Sequence, residues 1–396
     1  MNARERFLAT MAFEPVDRPP LWEFGYWTEV LVRWYGEGLP HREGLPRNAG
    51  RVFGEGLSWD ASLLPFTARD RDVHLELGFD DGIGRVPLNS FVYPPFERRV
   101  LEETGNVILV QDERGHIWRD TRAGVPPQSV RSPVETSEDW ERFRAERLQP
   151  TLEGRLPADW PQQRENLRHR DFPLAIGGTG GQLGFFHAAR YLLGQERLLF
   201  AFYDQPELLK EMMQYLAEFW VALLDRVLSE IDVDMAYLTE DIAYKAGPLI
   251  SPAMFRTFLL PGYKKLTGML QDHGVRIVFV DSDGNVWKLL PSFLEAGVTG
   301  LGPMEVAAGM DVAEVRQAFP RLQMLGGVDK RAVAEGPAAI DLELVKRLPG
   351  TVESGGYIPM LDHIAPPDIA WPDFVHYRKR LARMMETDAI PSGDRR

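Results

Sequence analysis

Eight acidic or imidazole side chains follow directly after short apolar runs: Glu240, Asp241, Asp281, Asp283, Glu305, Asp329, Asp362 and His363. Each alone is ordinary loop chemistry, but together they recur across five consecutive units. If the runs are parallel strands of one sheet, their C-terminal ends converge on one mouth, where catalysis is housed in barrels. Carboxylates sharing a cavity have three physical outcomes: some stay protonated, some pair with cations, or they hold a metal. Oxygen ligands joined by one His suit Zn²⁺, Mn²⁺ or Fe²⁺, and all-oxygen sets suit Mg²⁺ or Ca²⁺. Any of the eight could serve in one of these ways, and His363 is of the type most often used for acid–base work or metal binding. Asp281-Ser282-Asp283-Gly284 superficially resembles the start of an EF-hand but lacks its closing Glu. The alternative for Asp281 and Asp283 is helix capping near Val286. For His363 it is a buried ring satisfied by a backbone carbonyl, and for Glu305 and Asp329 it is solvent.

The elements that must position these residues follow from the apolar pattern. From residue 173 onward, strand-like runs alternate with amphipathic segments. The runs are Leu174–Ile176, Met235–Leu238, Arg276–Val280, Val298–Leu301, Leu322–Leu325 and Gly356–Leu361. Adding Pro20–Phe24 and a run near Val73–Phe79 gives eight, the number that closes a (β/α)₈ TIM barrel. An open doubly wound sheet is the rival. Residues 1–172 are expected to hold the first strands, insertions and a hairpin made by Val107–Val110 and His116–Trp118. Residues 173–380 are expected to carry the regular βα units, and 381–396 a flexible tail. No repeat or linker divides the chain, so residues 1–396 read as one domain of α/β class. Ser251-Pro252 predicts a capped helix start. Trp22, Tyr26, Phe186 and Tyr357 are candidate pocket linings, with Glu23 and His187 beside them as substrate contacts. The Gly177–Gly181 run lacks both the Lys-Ser/Thr of a P-loop and the G-x-G-x-x-G spacing. It reads as backbone passing close to a ligand or as an anion cradle.

Composition narrows the classes. The 396 residues are 44% hydrophobic and 26% charged, the balance of a globular chain with a sizeable core. A net charge of −13 disfavours nucleic acid and anionic membranes as partners. With no Cys, thiolate nucleophiles and Cys-based metal centres are excluded. Met1–Arg18 reads as an amphipathic helix rather than a signal peptide, and no apolar run is long enough to span a membrane, so the cytoplasm is the expected compartment.

Several stretches together resemble the uroporphyrinogen decarboxylase superfamily. They are Arg18-Pro19-Pro20-Leu21-Trp22, Ile250-Ser251-Pro252 to Phe255-Arg256, Gly326-Gly327-Val328-Asp329, and Gly356-Tyr357-Ile358 to His363 with Pro366-Pro367. The resemblance implies a (β/α)₈ barrel, a homodimer, and either decarboxylase or corrinoid-linked methyltransferase activity. Decarboxylases of this type carry R-Q-A-G-R-Y after the first strand. Here the matching stretch is Glu23-Phe24-Gly25-Tyr26, without either arginine. Their His near the last strand matches His363, and their pyrrole-contacting aspartate matches Asp80 or Asp81. The methyltransferase branch holds zinc by H-x-C and a later Cys. Those positions read here as Asp281-Ser282-Asp283 and Asp362, next to His363, so the resemblance implies an oxygen-and-nitrogen ligand set of Glu240, Asp281, Asp283, Asp362 and His363, with His363, Asp283 and Glu240 also expected to move protons. The expected activity is therefore methyl transfer from a small donor, such as a methoxylated aromatic, to a corrinoid on a partner protein, with a Zn-like divalent metal as Lewis acid. The alternatives are cofactor-free decarboxylation and a barrel that binds ligand without chemistry.

Overall fold

The computed structural model describes residues 1–42, 71–121, 128–178 and 183–388. The first barrel strand is only two residues long, β1 (Gly84–Arg85), because Pro87 cannot continue the ladder. After it the chain leaves the barrel and forms a four-stranded antiparallel arm: β2 (Arg99–Thr104), β3 (Val107–Gln111), β4 (Ile117–Thr121) and β5 (Gln128–Arg131). The expected hairpin is the central pair of that arm. Returning, the chain lays down β6 (Leu174–Gly177) and β7 (Met235–Thr239), followed by a small ribbon of β8 (Ala243–Tyr244) and β9 (Gly247–Pro248). It then adds β10 (Val278–Asp281), β11 (Gly300–Met304), β12 (Gln323–Val328) and β13 (Tyr357–Leu361). Strands β1, β6, β7, β10, β11, β12 and β13 form one parallel sheet in that order, seven strands among the described residues where eight were expected.

Two expected strands differ. Val73–Phe79 falls in the helix Arg71–Leu77. Its alternating apolar residues are not used as a strand face, since Val73 is buried while Leu75 is exposed. Pro20–Phe24 is extended but makes no ladder, because Pro19 and Pro20 have no N–H to donate. The segment still fills the seam between the two sheet edges. On the β13 side Ala365 N–H donates to the Gly25 carbonyl at 2.9 Å, and Leu361 N–H donates to the Glu23 carboxylate at 2.7 Å. On the β1 side the Trp22 indole donates to the Asp81 carbonyl at 2.9 Å.

The lumen is packed by Trp22, Ile83, Ala175, Met235, Tyr237, Phe279, Ile358 and Met360, with Phe7 and Met11 of the helix Ala3–Ala12 plugging it from outside the sheet. A larger apolar layer lies between the strands and the surrounding helices. The capped helix expected at Ser251 is present, and Ser251 Oγ accepts from Met254 N–H at 3.1 Å. It passes through a π-turn, Phe255–Leu259, that ends two positions before Pro261, a residue with no N–H to offer an α-helical ladder. The last helix, Trp371–Asp388, enters the stretch expected as a tail and buries Leu381 and Met385; residues 389–396 lie outside the described residues. Among the described residues no helix is long and apolar enough to cross a membrane.

Candidate active site at the strand ends

Side chains alternate across a strand, so the residues that pack the lumen also say which strand-end residues face it. Met235 and Tyr237 point inward; Leu238 and Glu240 therefore point outward. Phe279 points inward, and so does Asp281. Ile83 points inward, which carries Arg85 to the same level.

Asp281 is the centre of the arrangement. It is nearly buried, and the Tyr237 hydroxyl and the Arg85 guanidinium both act to favour its charged form. Burial, helped by the charges of Asp241 and Asp283, pushes its carboxyl well above the usual carboxylate range; Tyr237 and Arg85 only partly oppose this. Burial therefore favours the protonated form of this group. Arg85 lies flat against Gly178. A Cβ at that glycine, whose φ is +139°, would sit 2.6 Å from the guanidinium carbon. Burial lowers Arg85 to about 10, so it stays cationic at neutral pH. Gly177 likewise leaves no room, its Cβ position lying 2.4 Å from the Tyr237 carbonyl. Thr179–Gly181, the rest of the glycine run, lie outside the described residues.

A second group stands at the end of β7. Asp241 has a left-handed backbone (φ 45°), a conformation that costs energy in any residue but glycine and that clusters at functional positions. Its carboxylate pairs with Arg190 at 2.8 Å and approaches His187 Nδ1 at 3.5 Å. Burial opposes its charge, but the bonds and charges of His187 and Arg190 hold it well below the usual carboxylate range. Burial lowers His187 below its ordinary value, against the opposing pull of Asp241. At the solvent edge, Asp283 Oδ2 and His363 Nε2 are 3.4 Å apart, and the His363 ring is tilted against Phe24 at 5.8 Å.

The five residues expected to share a metal are not gathered. Both Glu240 oxygens are taken on the outer face: Oε1 accepts from Phe185 N–H (2.8 Å) and the Tyr263 hydroxyl, and Oε2 from Phe186 N–H (2.6 Å) and His187 N–H (3.0 Å). Glu240 is thus the anion at the N-terminus of the helix Phe185–Leu193 rather than a mouth residue. Asp362 is fully buried and tied to Val306 N–H (3.0 Å), Lys330 N–H (3.1 Å) and Lys330 Nζ (3.4 Å). Among the described residues no three His, Cys, Asp or Glu side chains come together to hold a metal. With these donors committed to backbone, lysine and tyrosine, the expected metal set does not fit a metal ion. Asp329 caps the helix Lys330–Ala334, and Glu305 accepts from Gly284 N–H at 2.7 Å, so both are structural.

The expected pocket linings are elsewhere too. Trp22 is in the lumen core 5.5 Å from Phe7, and Tyr26 packs outward against Trp34 and Phe374. Phe186 is buried near Phe202, and Tyr357 points outward with its hydroxyl on the Gly326 carbonyl at 2.8 Å. Glu23 is fully buried in an ion pair with Arg378. Asp80 is clamped by Arg6 and Arg18 before β1 begins, and Asp81 lends its carbonyl to Trp22, so neither reaches the C-terminal strand ends. Of the expected substrate contacts, His187 is the one beside the mouth charges. Arg85, Arg190 and Lys330 were not anticipated, and they make the mouth a mixed lattice of charge rather than an acidic one.

Glu240 carries its own prediction. Burial raises its carboxyl to about 7 despite the four donors. A folded-state value above the unfolded value means its contribution to stability is fully present below about 4.5 and is lost as pH rises to about 7. Glu240→Gln turns an amide N–H₂ toward backbone N–H groups and is expected to cost about 1–3 kcal/mol. Urea unfolding at pH 5 and pH 8 checks both, since the wild type should lose stability across this window relative to Glu240→Gln. Equal differences at the two pH values would contradict the assignment.

The fold is a parallel α/β barrel-like sheet wrapped by helices, with the candidate site at its C-terminal strand ends. The Uroporphyrinogen decarboxylase (URO-D) family matches residues 129–374, and the chain belongs to that family. A methyltransferase from Methanosarcina mazei is similar over 96% of this chain and 98% of that one, with a TM-score of 0.55 at 16% identity, a likeness of fold. No curated protein matches the chain.

Proposed function

We propose that this URO-D-family enzyme uses Asp281 to protonate the departing atom of a small substrate held in the mouth, and that the reaction is methyl transfer from a methoxylated donor. The observation that carries this reading is Asp281 itself: a buried, inward-facing carboxyl at the end of β10, whose charge Tyr237 and Arg85 favour. Breaking an O–CH₃ bond leaves the bonding electrons on oxygen, and the oxygen needs a proton to leave as an alcohol or phenol. Asp281 supplies that proton. Tyr237 and Arg85 then stabilise the carboxylate left behind. Asp283 and His363, at the solvent edge, are placed to pass the next proton inward. A corrinoid carried by a partner protein supplies the methyl acceptor. No step runs through a metal held by this chain.

A second reading, decarboxylation without a cofactor, is favoured by the same pair of Asp281 and Arg85, since loss of CO₂ leaves a carbanion that the same proton would quench. The test mixes the protein with a reduced corrinoid protein and a panel of methoxylated aromatics and follows the corrinoid absorbance. Transfer by the wild type and its loss in Asp281→Asn are expected. No transfer with any donor, together with CO₂ release from uroporphyrinogen, would replace the first reading with the second.

A further inference from the structure

The turn of the arm between β3 and β4 is pinned rather than loose. Asp112 Oδ1 accepts from Arg114 N–H (3.0 Å) and His116 N–H (2.8 Å). Its Oδ2 accepts the Trp118 indole N–H (2.9 Å) and the hydroxyl of Tyr191. Tyr191 belongs to the helix Phe185–Leu193, so one carboxylate ties the arm to the barrel. The His116 ring stacks on Trp118 at 4.2 Å and meets Tyr191 edge-on at 5.1 Å, which makes the joint rigid.

The joint fixes Arg114. Its guanidinium carbon is 5.2 Å from the Tyr191 ring centroid, and its charge bears on His187, one helical turn away. His187 in turn lies against Asp241, whose charge reaches Asp281. Unlike Arg190, Arg114 makes no ion pair among the described residues. A half-buried guanidinium resting on an aromatic ring keeps its planar fork of N–H donors, the geometry that takes a carboxylate or phosphate through two parallel bonds.

We propose that Arg114 is the rim anchor for an anionic group of the substrate, a carboxylate or a phosphate monoester, and that the arm serves to present it to the mouth. The proposal rests on the mouth being the substrate site and is independent of which bond is broken there. A substrate gripped this way has its anionic group apart from its reacting atom, which lies deeper at Asp281.

Equilibrium binding tests this without turnover. Titration calorimetry would compare 3-methoxybenzoate, 3-methoxyphenyl phosphate and the neutral 3-methoxybenzamide on the full-length protein. The wild type should prefer one of the anions over the amide by about tenfold or more, the scale of a charge-assisted bond. The better anion names the group. Arg114→Gln should erase the preference, Arg114→Lys should retain part of it, and Tyr191→Phe, which only loosens the pin, should reduce it with Arg114 still present. Equal binding of anions and amide, no binding of either anion, or a preference unchanged in Arg114→Gln overturns the proposal. Anion preference without methyl transfer would leave Arg114 as the anchor and sink the methyl-transfer reading; transfer from neutral donors without anion preference would do the reverse.

Discussion

Asp281→Asn is expected to lower turnover by about 10²–10⁴-fold, the usual worth of a positioned general acid, while leaving the protein at least as stable as the wild type. The two effects have one cause. Burial raises the Asp281 carboxyl well above the usual carboxylate range, so the folded protein keeps a proton that the unfolded chain releases once pH passes about 4. The stabilising contribution of this group is therefore present below the unfolded value and is lost as pH climbs toward the folded one. At neutral pH the wild type bears that cost. An amide of the same shape never ionises, so it does not. Asn can still meet Tyr237, but it has no proton to give. Thermal melts at pH 4 and pH 8 should show Asp281→Asn gaining on the wild type at the higher pH, alongside the collapse in turnover. Activity of the wild type should also fall on the alkaline side as Asp281 ionises. Full activity in Asp281→Asn would remove the general acid from the mechanism.

How far the sequence reached is clearest at β7 and β10. The apolar runs located both strands, and both were seen to end in carboxylates. Treating Glu240 and Asp281 as equivalent ignored the alternation of side chains, which continues past the last strand residue. Counted from the inward Tyr237 and Phe279, Glu240 is odd and Asp281 is even, so one serves a helix terminus and the other the lumen. The same parity separates Glu23 from Phe24 and Tyr357 from Ile358. It was available from the sequence once the inward residues were known, but those depend on which face the helices cover. Arg85 had no such signal: its strand is Gly84–Arg85 alone, closed off by Pro87, without an apolar run. Arg114 sits in the turn of the hairpin that the sequence led us to expect. Its place over the Tyr191 ring depends on a contact between Asp112 and Tyr191, 79 residues apart. The metal set failed for a related reason. Asp362 stands at the end of its strand as expected, but Lys330 and two backbone N–H groups already satisfy it.

Arg378→Met is expected to destabilise the protein by about 3–5 kcal/mol, the cost of leaving one partner of a buried ion pair alone. Glu23 and Arg378 are 0% and 2% exposed and 3.0 Å apart. Arg378 also stacks on Phe79, 4.4 Å from the ring centroid. Burial already pushes the Glu23 carboxyl upward, with Arg378 the main opposing charge. Without that arginine the carboxyl must take up a proton or unfold the seam, so the loss should be larger at pH 8 than at pH 5. Urea unfolding at the two pH values measures this. The double variant Glu23→Gln/Arg378→Met should recover much of the stability. It removes the stranded charge and keeps an amide oxygen to accept Leu361 N–H, the bond that stands in for a ladder contact at the seam. A single-variant cost below about 1 kcal/mol at pH 8 would mean that water reaches the pair and that it does not hold the seam. The seam matters beyond stability because Leu361 immediately precedes Asp362 and His363. Arg378→Met should therefore also weaken turnover through misplaced His363, and the double variant should restore turnover in step with stability.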